Sequence, residues 1–133
     1  MLKLIELAAK VALPNDAASD RRGFWIGSVG IREDGTIVSA KNAAVEFEGT
    51  VEHYQLIPNA HSEPRCLRKM GKRGTIYVAR VLKGTGGFAM ARPCIICQPF
   101  LRAFQVRKCY YSINNHQYGV LDVAKDTDRV YNA

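Results

Sequence analysis

Two short stretches carry side chains able to do chemistry together. "HSE" places His61 and Glu63 two residues apart, and "PCIIC" places Cys94 and Cys97 three apart behind Pro93. Two thiolates at that spacing are good zinc ligands, and a histidine nitrogen can supply a third. Three protein ligands leave one tetrahedral position open, which marks a catalytic zinc site. Glu63 need not touch metal, because a carboxylate beside such a site can take a proton from water and deliver it later. A C-x-x-C alone would equally suit a redox pair, but that role leaves His61 and Glu63 without a purpose.

A structural zinc would ask for a fourth protein ligand. The spare thiols are Cys66, in a helical stretch beside Leu67, and Cys109, in an apolar strand, and both read as buried core residues. His53 and His116 read as surface histidines in a loop and a turn.

These side chains need elements to position them. Apolar residues interleaved with charges predict a helix over 2–13, stopped by Pro14. "FWIGSVGI" (24–31) and "TIVSAKN" (36–42) predict two strands joined at "REDG" as a hairpin. Residues 43–60 read as irregular. A helix is expected from His61 to about Met70, with Pro64 in its first turn, where proline is tolerated, and Gly71 at its end. "TIYVARVL" (75–82) is a strand. "KGTGGFAMAR" lacks the lysine and hydroxyl placement of a phosphate loop and reads as a flexible active-site wall.

A helix over 93–104, opened by Pro93, would put Cys94 and Cys97 on one face of its first turn, where the helix dipole favours thiolate. Pro99 inside that pattern implies a kink. "KCYYSI" (108–113), a turn at Asn114-Asn115 and "HQYGVLDV" (116–123) predict an antiparallel hairpin, and the last ten residues read as loosely held. Trp25 and the pair Tyr110–Tyr111 read as core. The order α-β-β-α-β-α-β-β predicts an α/β domain with helices on the faces of a sheet.

Composition sets the outer bounds. The 133 residues, 47% of them hydrophobic, suit a single folded domain over 1–133. No apolar run approaches a membrane span. The N-terminal stretch is broken by Lys3, Glu6 and Lys10, unlike a signal peptide, so a cytoplasmic protein is expected. The net charge of +7 favours anionic partners such as nucleotides or nucleic acid. The cluster Arg65, Arg68, Lys69, Lys72 and Arg73 reads as a solvated helix face.

Taken together, "HSE" at 61–63, "PCIIC" at 93–97, the hairpin "IGSVGIREDGTIVSAKN" and Asn42 at its end resemble the zinc-dependent cytidine/deoxycytidylate deaminase-like superfamily, whose signature is H-x-E followed by P-C-x-x-C. The resemblance runs from roughly Gly23 to Val123. It implies a three-layer α-β-α fold with a mixed five-stranded sheet and an antiparallel C-terminal hairpin. It implies that His61, Cys94 and Cys97 hold Zn2+ and that Glu63 shuttles protons. It also implies that Asn42 contacts sugar or base, that backbone near Ala60 and Ala91 meets the pyrimidine edge, and that Phe24 lines the substrate. Ser62 stands where alanine is commoner, a change read as neutral.

The implied reaction is hydrolytic deamination of cytosine in a free nucleoside or nucleotide, giving the uracil product and ammonia. A deaminase of cytosine or adenine in single-stranded DNA or RNA is the alternative, supported by the charge. A zinc-stabilised binding module without catalysis is the third reading, opposed by Glu63. Self-association into a homo-oligomer is expected, since so small a domain has little material to wall a pocket.

Overall fold

Helix α1 (Lys3–Ala12) forms where Ile5, Ala8 and Ala12 recur at helical spacing, and these three side chains are buried. It ends at Leu13, which is extended, as a residue before proline must be to avoid the ring. The structure, a computed structural model, describes residues 1–44 and 60–133. His53 and most of the stretch expected to be irregular lie outside them.

The described strands are β1 (Trp25–Ile31), β2 (Ile37–Lys41), β3 (Thr75–Val81), β4 (Phe88–Ala89), β5 (Lys108–Asn114), β6 (Gln117–Asp122) and β7 (Thr127–Asn132). They form one sheet in the order β2-β1-β3-β5-β6-β7, with β4 paired to β3. Only β3 and β5 run parallel, with Tyr77 opposite Tyr110; the remaining pairs are antiparallel. A parallel pair needs a crossover, which here contains β4 and helix α3 (Gln98–Ala103). Helix α2 (Ser62–Met70) precedes β3.

Strand alternation divides the core in two. Val29 and Ala79 point to one face and pack with Ile5 and Ala8 of α1. Ile76, Val78, Cys109 and Leu121 point to the other, against Cys66, Leu67 and Met70 of α2 and Leu101 of α3. The result is a helix–sheet–helix stack. Gly27 sets the closeness of α1: a Cβ there would lie 2.1 Å from the Ala8 carbonyl oxygen, so the helix backbone can rest on β1 only because residue 27 has no side chain.

Four expectations need correction. The sheet has seven strands, not five. The extra strands are the two-residue β4, hidden in the glycine-rich segment, and β7, in the tail expected to be loosely held. All six residues of β7 are exposed, so no buried face marks it in sequence; backbone pairing with β6 and side-chain ties hold it. The helix expected over 93–104 runs only over Gln98–Ala103, and Pro99 lies in its first turn, where proline is tolerated, rather than inside it. Proline has no N–H to bond to Ile95, so regular helix starts only after Cys97, whose carbonyl accepts from Leu101 at 3.1 Å. The β5–β6 turn is at Asn115-His116, one residue later than expected, because the Asn114 side chain accepts from the His116 N–H at 2.8 Å. Trp25 and Tyr110, expected in the core with Tyr111, are only half-buried, whereas Tyr111 is buried.

Candidate metal and active site

His61 is the N-cap of α2, with extended backbone. The approach to it is fixed just beyond the end of β2, where the Ala43 N–H donates to the Ala60 carbonyl at 2.9 Å. The first turn of α2 is tied to β1 by a 2.7 Å hydrogen bond between the Ser28 and Ser62 hydroxyls. Cys94 and Cys97 lie on a tight turn, not on a helix: the Cys97 and Gln98 N–H groups both donate to the Cys94 carbonyl, at 3.0 and 3.1 Å. That turn is strapped to β5 through the Ala91 N–H, which donates to the Ser112 carbonyl at 2.9 Å.

These elements bring the predicted ligands together. His61 Nδ1 lies 3.3 Å from Cys97 Sγ and 3.6 Å from Cys94 Sγ, and the two sulfurs are 3.6 Å apart. Among the described residues these three form a group able to hold a metal ion. The spacing fits tetrahedral zinc: bonds of ~2.3 Å to sulfur and ~2.0 Å to nitrogen place sulfurs about 3.8 Å apart and sulfur from nitrogen about 3.6 Å. It is far from the ~2.05 Å of a disulfide, and all four cysteines are free thiols. Two sulfurs and one nitrogen make a donor set that zinc favours. Zn2+ is therefore the cofactor these residues suit. Cys66 and Cys109 are fully buried elsewhere in the core, as expected. Burial pushes the Cys66 thiol up to about 12, which keeps it inert.

The two ligand thiols share their protons unequally. The hydrogen bond from Cys97 draws the Cys94 thiol down to about 4, with His61 adding to the effect against the opposing cost of burial. The same hydrogen bond, with burial, pushes Cys97 upward. One proton thus leaves the pair easily, and a thiolate is already available to a metal.

Glu63 is buried at the cluster. Burial raises its carboxyl above the ordinary carboxylate range and the negative charge of Cys94 adds to that, while hydrogen bonds from Ser62 and Cys97 pull the other way. The Ser62 hydroxyl donates to Glu63 Oε1 at 2.6 Å, so the residue expected to be neutral holds the carboxylate in place. Ser28 stands behind it. No sequence motif flags Ser28; its only signal is a hydroxyl at an inward position of an apolar strand.

The expected substrate contacts are placed as follows. Asn42 is buried, and both lone pairs of Oδ1 and one Nδ2 hydrogen are bonded within the fold. Its Oδ1 accepts from the Ile26 N–H at 2.9 Å and from Arg22 Nη1 at 3.0 Å, and its Nδ2 donates to the Phe24 carbonyl at 2.8 Å. Arg22, missed in the sequence, is buried and also binds the Ala12 carbonyl and Asp20, so it ties the end of α1 to the end of β2. Phe24 is half-buried under the Arg80 guanidinium, 4.7 Å from its ring centre. Ala60 and Ala91 are buried beside the ligands, with the backbone bonds already given. His116 lies in the β5–β6 turn.

The basic cluster of α2 largely serves the sheet edge. Arg65 donates to the Lys41 carbonyl, Lys69 to the Ser39 carbonyl, and Arg73 pairs with Glu33 at 2.9 Å. A cavity of about 930 Å³ opens elsewhere, lined by Arg102, Arg107, Lys108, Lys125, Tyr110 and Asp122 among others; none of the metal-cluster residues lines it. Among the described residues, no helix is long and apolar enough to cross a membrane.

Residues 2–113 match the family model of the cytidine and deoxycytidylate deaminase zinc-binding region. No curated protein matches. A crystal structure of cytidine deaminase from Mycobacterium tuberculosis is similar at 21% identity and a TM-score of 0.48, over 84% of this chain and 87% of that one.

Proposed function

The chain belongs to the cytidine and deoxycytidylate deaminase zinc-binding family, and from that premise we propose that it hydrolyses the amino group of cytosine in a free nucleoside or nucleotide, yielding the uracil product and ammonia. One observation carries the reading: a buried glutamate, oriented by a serine hydroxyl, lies against a His61–Cys94–Cys97 cluster of zinc-like spacing. A zinc held only for structure has no use for such a carboxylate.

His61, Cys94 and Cys97 would hold the metal. When bound, zinc activates water for attack on the amino-bearing ring carbon. Glu63 does the proton work. It takes a proton from the attacking water and gives it to the adjacent ring nitrogen. It then carries the second proton to the departing amine, the carbon–nitrogen bond breaks, and ammonia leaves. Ser62 keeps Oε1 fixed through both transfers. Asn42, Ala60, Ala91 and Phe24 are the proposed surroundings of the base and sugar.

A second reading has its own support. Four basic side chains line the cavity away from the metal cluster, and the chain carries +7, which suits a single-stranded polynucleotide as substrate. Self-association also stands as a proposal: Ile95, between the two ligand cysteines, is 81% exposed, an apolar side chain that a second copy could cover. Light scattering at active concentrations tests it, with a monomer as the refuting result.

The deciding experiment scores ammonia release from cytidine, deoxycytidine, their monophosphates and single-stranded oligomers, with Glu63→Ala as control. Turnover of monomers that Glu63→Ala abolishes is expected. Turnover of oligomers alone would replace the first reading with the second.

A further inference from the structure

The segment that delivers Cys94 is held at several points. The Ala89 carbonyl accepts from Ser112 Oγ at 2.7 Å, the Ala91 N–H donates to the Ser112 carbonyl at 2.9 Å, and the Pro93 carbonyl accepts from Gln98 Nε2 at 3.0 Å. These ties come from β5 and from α3. One more comes from the far end of the chain. Arg92, two residues before Cys94, forks onto Asp128 of β7: Nε lies 3.1 Å from each carboxylate oxygen and Nη2 3.0 Å from Oδ2. Nη2 also reaches Asp126 Oδ1 at 3.2 Å.

Asp128 is itself fixed from below. The Tyr111 hydroxyl donates to Asp128 Oδ1 at 2.6 Å. Tyr111 is on β5 and Asp128 on β7, so its ring must cross the intervening β6. It does so over Gly119, its direct cross-strand partner. A Cβ at residue 119 would lie 2.2 Å from the ring, so only glycine leaves that path open. The carboxylate is thus caught between a buried phenol and a guanidinium, in the two-pronged geometry that makes Arg–carboxylate pairs strong. The side chains of Arg92 and Asp128 are 34% and 28% exposed, less open to water than the Arg73–Glu33 pair at 62% and 61%.

We propose that Asp128, outside the family-matched region, is a positioning residue for the metal site, acting through Arg92 to hold the Pro93–Cys97 turn in ligating geometry. The strand β7, whose residues are all exposed, then has a purpose beyond closing the sheet edge: it carries the latch. This rests on reading His61, Cys94 and Cys97 as a zinc site. Groups that orient metal ligands from outside typically matter by about 10–100-fold in metal affinity; one acting through two residues of backbone belongs at the low end, near ~10-fold.

The test uses the full-length zinc-loaded protein. Asp128→Ala and Arg92→Ala, singly and together, are followed for zinc release to a chelator at a temperature where every variant is folded. Each single variant is expected to release zinc about 10-fold faster than wild type, and the double variant no faster than the singles, since both break one link. Glu33→Ala, which breaks an exposed pair elsewhere, should release zinc at the wild-type rate. Loaded with cobalt instead, Asp128→Ala should show shifted thiolate-to-metal absorption bands, which a merely loosened edge strand would not move. If the alanine variants fail to fold, Asp128→Asn keeps the volume and is read in the same way. Wild-type release rates and unshifted bands, or multiplying effects in the double variant, overturn the proposal. Wild-type protein that binds no zinc would instead overturn the site reading, and this proposal with it.

Discussion

The Ser62 hydroxyl donates to Glu63 Oε1 at 2.6 Å, with the Ser28 hydroxyl 2.7 Å behind it, all three side chains buried. A glutamate that moves protons must present the same oxygen each time, and a hydrogen bond from a helix-borne hydroxyl does this without adding charge. Hydrogen bonds to charged groups contribute roughly 1.5–3 kcal/mol. Ser62→Ala should therefore lower kcat by about 10-fold, with KM changing less. Ser28→Ala, one bond removed, should cost less than Ser62→Ala. Steady-state kinetics on the best monomeric substrate checks both, and an unchanged kcat in Ser62→Ala would make the serine a packing residue.

Glu63→Ala should abolish turnover yet keep zinc and fold. General acid–base catalysis is typically worth ~10²–10⁴-fold, and here one group serves successive transfers. Metal analysis and melting curves on the same sample separate lost chemistry from lost structure. Near wild-type ammonia release would remove Glu63 from its assigned role.

Purified protein should carry close to one zinc per chain, lost when Cys94 and Cys97 are both replaced by alanine. The thiols lie with His61 Nδ1 in one cluster, and no second ligand group exists among the described residues to compensate. Elemental analysis measures this directly, and unchanged metal in the double variant would refute the ligand assignment.

The metal cluster was legible because its chemistry fixes residue types at short spacings: His61 and Glu63 share a helix start, and Cys94 and Cys97 share a turn. The strands from Trp25 to Val81 were legible from short apolar, β-rich runs bounded by turn residues. What stayed hidden depends on contacts between distant positions. Ser28 meets Ser62, Arg22 meets Asn42 and Tyr111 meets Asp128, and a single polar residue in a strand announces no partner. Strand β7 lacks a buried face, so its polar run resembled a loose tail. Around Cys94 the proline pattern predicts helix, whereas the missing N–H at Pro99 lets regular helix begin only after the ligands.

Asp20 and Arg22 give the fold an acid-sensitive joint. The Arg22 hydrogen bonds hold the Asp20 carboxyl below its ordinary 3.8, against a smaller opposing effect of burial. A depressed carboxylate stabilises the fold above its unfolded value, and that contribution fades as pH falls through the folded value. Asp20→Asn should therefore be less stable than wild type at neutral pH, by about 1–2 kcal/mol, because Arg22 is buried and keeps a weaker partner. The gap should close below about pH 4. Melting temperatures of both proteins across that range test it, and a gap independent of pH would exclude the carboxylate as its source.

Salt dependence separates the two substrate readings. A long single strand neutralised by several lysines and arginines releases counterions on binding, and affinity then falls by about −0.7 in log–log slope per phosphate contact. A nucleoside shows almost no slope and a mononucleotide a shallow one. The shallow or flat result is expected. Arg65 and Lys69 are bonded to β2 carbonyls and Arg73 to Glu33, so much of the basic cluster on α2 is occupied within the fold. The remaining basic side chains lining the cavity stand apart from His61, Cys94 and Cys97. A strand bound there would have to pass around the domain to reach the metal cluster. The measurement is KM for the best substrate at several salt concentrations, in wild type and in Arg107→Ala/Lys108→Ala. A slope of four or more contacts that shrinks in the double variant, with weak activity on monomers, would transfer the assignment to polynucleotide deamination.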